Sequence, residues 1–191
     1  MWFLELFNKL DYQPIRQTYL TSYDFMEKNI EFWLLHSEWH TKSHCSRVLF
    51  LALLIGYQKK LTEEEMQSLA MAAVFHDSRR VDDGIDKGHG MRAAKYYKEY
   101  CEDHGLKFNE STYHIIYYHD QDDSLSLLNV ANSSSLNERT TLLYQIFKDA
   151  DALDRVRFGP YGLNKNYLRT EESKKLIGLA KEIYDRSNSI N

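Results

Sequence analysis

The sequence predicts an all-α chain folded as a single-domain helical bundle, and three observations predict it. Glycine (8) and proline (2) are scarce across 191 residues, leaving few of the turns that an all-β chain needs. Apolar residues recur at helical spacing in segment after segment, and none reads as a convincing strand. Hydrophobic content of 43% with 27% charged residues is ordinary for a globular chain of this length, which can bury a core without staples. No Gly/Ser/Pro-rich linker and no internal repeat divides it, so residues 1–191 are read as one domain.

The elements follow in order. SRVLFLALLIGYQKK, Ser46 to Lys60, is apolar all round, as a helix buried in the core must be. In LTEEEMQSLAMAAVFHD, Thr62 stands as N-cap with Glu65 three residues on, a capping box. Met66, Leu69, Ala70, Ala73 and Val74 then mark one face, and His76-Asp77 falls at the C-terminal end. Charged, glycine-bearing sequence from Ser78 to Gly88 is a loop. His89 opens the next helix, which Gly105 ends. Asn109 caps a short helix that finishes near His119, and residues 120–136, rich in Asp, Ser and Asn, are expected to form the longest loop. A strongly periodic helix starts near Glu138, and an amphipathic one covers roughly Glu171 to Asp185. Only short helices and loops are expected elsewhere.

Composition narrows the function classes. A net charge of -4 gives no bulk attraction to a nucleic-acid polymer, although a small phosphorylated ligand needs only a local basic patch. Cys45 and Cys101 stand far apart in no CxxC arrangement, which reads as two free thiols in a reducing compartment. The start of the chain is apolar but carries Glu5 and Asp11 and no basic leader. The longest apolar run, Val48 to Tyr57, falls short of the about 20 residues that span a bilayer. A cytoplasmic protein without a membrane partner is expected, and homo-oligomerisation is left open.

The stretch FHDSRRVDDGIDKGHG, Phe75 to Gly90, concentrates the chemistry. His44 begins the buried helix, His76 and Asp77 end the next, and Asp149, Asp151 and Asp154 lie late in another. Imidazole nitrogens mixed with carboxylate oxygens suit a divalent ion such as Mn, Fe, Co, Ni, Zn or Mg, and the lack of thiolates disfavours a closed structural zinc site. His36, His40 and His44 share i, i+4 spacing, but no Glu follows His40 as in HExxH, so His36 and His40 are read as outer residues. His104 and His114 read as structural. Arg79, Arg80, Lys87 and Arg92 surround the histidines, either as a solvated loop or as a phosphate-holding cluster. Arg47 and Arg155 read as ties between helices.

The order His44 … His76-Asp77 … Asp151 resembles the H…HD…D signature of the HD-domain superfamily, helical metal-dependent phosphohydrolases. The resemblance spans Trp39 to Leu153 within a core region of 39–155. WHTKSHCSRVLFLA is similar to that family's first-histidine helix, AAVFHDSRR to its HD helix and KDADALDRV to its closing aspartate motif. The resemblance implies His44, His76, Asp77 and Asp151 as metal ligands, with Asp149 and Asp154 as supporting or capping groups. Members with two metals carry extra histidines between the HD pair and the last aspartate. His89 and His119 occupy that interval, and Asp77 would then bridge the two ions. Nothing like GYP follows His119, which disfavours cyclic di-GMP as substrate. The implied activity is hydrolysis of a small phosphate ester, a nucleotide among the candidates, by a metal-activated water. Asp77 would orient that water, and Arg79 or Arg80 would offset phosphoryl charge. The ligand set by itself also admits a di-iron oxygenase on an HD-like scaffold or a metal-binding sensor without turnover.

Overall fold

The computed structural model describes residues 3–37 and 39–188, and within them the chain is all-helical with no strand. The helices are α1 (Phe3–Leu6), α2 (Arg16–Asn29), α3 (Lys42–Gln58), α4 (Glu63–Phe75), α5 (His89–His104), α6 (Glu110–Tyr118), α7 (Asp123–Asn132), α8 (Glu138–Leu153), α9 (Glu171–Lys175) and α10 (Ile177–Asn188). Short 3₁₀ turns cover Leu10–Ile15, Asp154–Phe158 and Lys165–Tyr167.

Helix α3 is the axis of the bundle. Its residues from His44 to Gly56 are all buried, and it packs against α2, α4, α8 and α10. A helix apolar on every side has no face for water, so the others must wrap it. Phe50, fully buried on α3, meets the rings of Phe7, Tyr12 and Tyr19, whose centroids lie 5.5–5.8 Å away. A second aromatic cluster gathers Phe25, Tyr96, Tyr97 and Tyr100 around Phe75 of α4. Cys45 and Cys101 are buried free thiols. Among the described residues no helix is long and apolar enough to cross a membrane.

The expected boundaries hold where a cap defines them. Thr62 and Glu65 form the capping box of α4, and Gly105 closes α5 in the left-handed region at φ 63°. Three segments differ. Residues 120–136 are not one long loop, because the Asp122 side chain accepts from the Ser124 amide and starts α7. That helix buries only Ser126 and leaves Leu125, Leu127 and Leu128 exposed, so its sequence lacks the core-facing stripe that marks the other helices. The final helix is two, because at Leu176 the chain tightens to a bond from its amide to the Ser173 carbonyl. Before α3, the 14-residue α2 exceeds the short helices expected there.

Phe50→Ala should destabilise the chain by about 3–5 kcal/mol, as removal of a large core ring does. Urea unfolding of parent and variant measures it.

Candidate active site

Helix ends deliver the chemistry to one place. Thr41 caps α3 by accepting from the His44 amide, which fixes His44 in the first turn. His76 is the C-cap of α4, with Asp77 immediately after it. Gly88, at φ 84°, turns the loop so that His89 is the first residue of α5, and His119 is the C-cap of α6. Asp151 lies in the last turn of α8. All six expected ligands therefore come together.

Each of the four imidazoles is held by its Nδ1 atom. His76 donates to the Ala73 carbonyl at 2.9 Å, His89 to Asp86 at 2.7 Å and His119 to Ile116 at 2.7 Å. His44 donates to Asp154 Oδ2 at 2.7 Å. A carbonyl accepts only, so these bonds put the proton on Nδ1 and turn Nε2 inward. The Nε2 atoms of His44 and His76 lie 3.2 Å apart, and those of His89 and His119 lie 2.8 Å apart. Asp77 joins the two pairs. Its Oδ2 is 3.5 Å from His44 Nε2, while its Oδ1 is 3.1 Å from His89 Nε2 and 3.6 Å from His119 Nε2. Asp151 Oδ1 stands 3.4 Å from His44 Nε2. His44, His76 and Asp151 form one group with ligand atoms within 4.8 Å of one another, and Asp77, His89 and His119 form another.

Burial sets the electrostatics. It pushes the His76 pKa down to about 3, so this ring is neutral near pH 7. Burial also pulls His44 and His89 down, but the carboxylates of Asp151 and Asp154 at the first and of Asp77 at the second outweigh it, and both stand above the usual value. For Asp77 burial acts upward, yet His76 and hydrogen bonds from His119, His40 and His89 hold the carboxyl well below the carboxylate range. Asp151 is likewise held down, burial being outweighed by His44. Inward-facing lone pairs and carboxylates need positive charge among them. A proton on His44 or His89, or a divalent cation, would supply it.

The two expected arginines part company. Arg80 lines the cleft above the cluster, with Nη1 3.2 Å from His89 Nε2 and 3.7 Å from Asp77 Oδ1. Arg79 is turned away from it. Its guanidinium lies 3.2 Å from the Tyr96 ring centroid and 5.2 Å from that of Trp33, and donates to the Glu31 and Ser78 carbonyls. Consecutive residues diverge by about 100° on a helical turn, so only one of the pair can face the cleft. Arg92 bridges both oxygens of Asp86 and braces the loop, while Lys87 lines the cleft. Arg155 also lines the cleft, donating to the Gly162 carbonyl, and does not tie two helices. His114 bonds Ser126 and Asn129 of α7, and His104 stacks on Tyr100, as structural residues do.

His40 was missed as an inner residue. It lies before α3, so the shared helical face with His44 does not exist, and its Nδ1 donates to Asp77 Oδ2 at 2.9 Å. His36 is exposed. Asp120 was also missed. Its Oδ2 accepts from the amides of Gly88 and Gly90 and so fastens the start of α5 to the end of α6. Asp154 is the supporting carboxylate expected of it, gripped by Arg47 at 2.6 and 2.9 Å, and Asp149 caps α9 through Thr170 and Ser173. The cluster floors a cleft of about 860 Å³ whose walls carry Lys148, Arg155, Arg157 and Arg169.

Two predictions follow from this packing. A Cβ on Gly90 would lie 2.7 Å from the Ile116 carbonyl and 3.0 Å from His119 Nδ1, so Gly90→Ala should cost about 1–3 kcal/mol in urea unfolding. The second concerns pH. Burial pushes Asp154 up, but His44 and Arg47 hold its pKa below the ordinary value. A depressed carboxyl stabilises the fold above its unfolded pKa, near about 4, and loses that contribution as pH falls. Asp154→Asn should therefore be about 3–5 kcal/mol less stable than the parent near neutrality, with the difference shrinking as pH falls through the acid range, read by urea midpoints at each pH.

The family model of the SidE phosphodiesterase (PDE) domain matches residues 39–188. No curated protein and no solved structure matches the chain. The matched span contains every residue of the cluster and the whole stretch that resembles the HD-domain superfamily, but the family it names is another, and the HD likeness stays one of motif order. With well over half of its length matched, this chain belongs to the SidE phosphodiesterase domain family.

Proposed function

We propose that this chain hydrolyses phosphate esters, phosphodiesters first, in the cleft floored by Asp77 and its histidines. The observation that carries the reading is the convergence of four imidazoles on one buried carboxylate beneath a guanidinium. Each is anchored through Nδ1 and directs Nε2 inward. Membership in a family described as a phosphodiesterase domain supports hydrolysis over the oxygenase and sensor alternatives.

The donor set fits a divalent ion. His44, His76, Asp77 and Asp151 would hold one, and Asp77, His89 and His119 a second, with His40 available to Asp77's outer oxygen. A bound ion of this kind supplies Lewis acidity at a phosphoryl oxygen and lowers the pKa of a bound water. The chain's own groups do the rest. Arg80 faces the same space and offers donors to a phosphoryl oxygen, countering its charge as the transition state forms. Asp77, kept ionised, would accept a hydrogen bond from water and so orient it. Where no ion occupies that half, the His89 imidazole, whose pKa the Asp77 carboxylate raises, would offer a proton to a leaving oxygen.

One observation favours a second reading. The Arg80 guanidinium stands 3.2 Å from His89 Nε2, where its charge competes with a cation in the His89–His119 half. In that reading the histidines act as acid and base without metal there, and at most the His44–His76–Asp151 half holds an ion.

Elemental analysis of the purified protein, with turnover of a chromogenic phosphodiester before and after chelation, tests the proposal. Activity should vanish on chelation and return with Mn or Fe. Activity indifferent to chelation transfers the reaction to the metal-free reading, and no turnover across a broad panel of phosphate esters defeats both.

Asp77→Asn should abolish turnover. Arg80→Ala should weaken substrate use about tenfold or more, because a charge-assisted bond to phosphate contributes on the order of 1.5–3 kcal/mol. Arg79→Ala should leave kcat/KM within about twofold and instead lower the melting temperature, since its interactions are with Trp33, Tyr96 and backbone carbonyls. Steady-state kinetics and thermal melts on the two variants separate the adjacent arginines.

A further inference from the structure

The geometry points to Arg157 as a second anion-binding residue of the cleft, one that receives a phosphoryl oxygen on the His44–Asp154 side of the cluster, across from Arg80. This deepens the phosphate-ester reading and rests on it for the identity of the ligand.

Arg157 lies in the 3₁₀ turn that follows α8, only 6% exposed, and lines the cleft with Asp151. A guanidinium carries five N–H donors, and burying it without acceptors is costly. Arg157 is poorly supplied. Among the described residues its one hydrogen bond to another residue runs from Nη1 to Asp154 Oδ2 at 3.4 Å. That oxygen already accepts from His44 at 2.7 Å and from Arg47 at 2.9 Å, so Arg157 comes third in line. Its Nε has no partner among the described residues. The Phe158 ring, 4.2 Å from Cζ, covers a face and satisfies no N–H.

The other buried arginines are different. Arg47 grips both oxygens of Asp154 and also reaches the Ser43 and Ser187 hydroxyls. Arg79 is clamped between aromatic rings and spends Nη1 on two carbonyls. Arg157 therefore combines near-complete burial, spare donors and a place on the cleft wall. A planar fork with spare donors suits a phosphoryl group, which accepts through two oxygens at once. Arg80 contacts His89, while Arg157 bonds Asp154, the carboxylate that holds His44, and lines the cleft with Asp151, so the two guanidiniums belong to different halves of the cluster.

Inorganic phosphate, titrated into the full chain by calorimetry and followed in parallel by the ¹H–¹⁵N resonances of arginine Nε–H groups, tests this. The parent should bind saturably, Arg157→Gln should weaken binding tenfold or more, and Arg157→Lys should fall between them, retaining charge without the fork. Unchanged circular dichroism qualifies each variant as folded. Should the Gln variant fail to fold, the parent decides. The Nε–H resonance missing from the Lys variant belongs to Arg157, and phosphate must shift it. Phosphate binding that leaves this resonance and the affinity of Arg157→Gln unchanged would overturn the assignment, as would a parent that binds no phosphate. Phosphate held by Arg157 without hydrolysis of any ester would preserve this inference and remove the reading beneath it. Hydrolysis with kcat and KM unaltered in Arg157→Gln would do the reverse.

Discussion

A carboxylate at 4% exposure must be surrounded by donors or give up its charge, and Asp77 keeps its charge. One donor, His40, comes from before α3, and three more imidazoles face the same carboxylate, His44 from the first turn of α3, His89 from the start of α5 and His119 from the end of α6. No two neighbours along the chain could supply them all. The bundle is therefore arranged so that helix ends meet at one point, and the energetic demand of a single buried oxygen pair becomes a constraint on four elements.

The elements that hold this centre are themselves held by buried polar ties. Asp154 joins α3 to the end of α8 through Arg47 and His44, and in doing so sets the tautomer that turns His44 Nε2 inward. Asp120 fastens the amides of Gly88 and Gly90, and Gly90 permits α5 to approach the Ile116 carbonyl where a side chain would collide. Lys148 donates to the His119 and Gln121 carbonyls and anchors the same corner to α8. A buried ion pair of this sort adds little net stability compared with apolar packing. Here the ties fix where the imidazoles stand, and the aromatic clusters around Phe50 and Phe75 carry the packing.

A cluster of this composition sits between two chemistries. The same inward nitrogens that would ligate a cation gain proton affinity where carboxylates outweigh burial, at His44 and His89, and lose it where burial prevails, at His76. Titratable neighbours whose environments push their pKa values apart are the usual material of acid–base catalysis. The cleft lining mixes Arg80, Lys148, Arg155 and Arg157 with aspartates such as Asp83, Asp120 and Asp122, so what a ligand meets depends on which side chain it faces and not on the net charge of -4.

The sequence by itself determined the helical class, the buried character of α3, the capping box of α4, the glycine stop of α5 and the six residues His44, His76, Asp77, His89, His119 and Asp151 that meet in the cluster. These are legible because caps and periodicity are local, and because the order of the motif travels with the chain. Tertiary structure alone decided the rest. Whether Arg79 or Arg80 faces the cleft depends on the turn after Asp77, and one step of rotation sends the first into Trp33 and Tyr96. His40 joins Asp77 only because α3 begins after it, so a spacing that suggested a shared face was misleading. Helix α7 is set by an Asp122 cap on a segment with no core stripe. Arg157 has unspent donors only because Arg47 and His44 reach Asp154 first, from more than a hundred residues away in the chain. Competition for one buried oxygen is a property of three dimensions, and no window along the chain contains it.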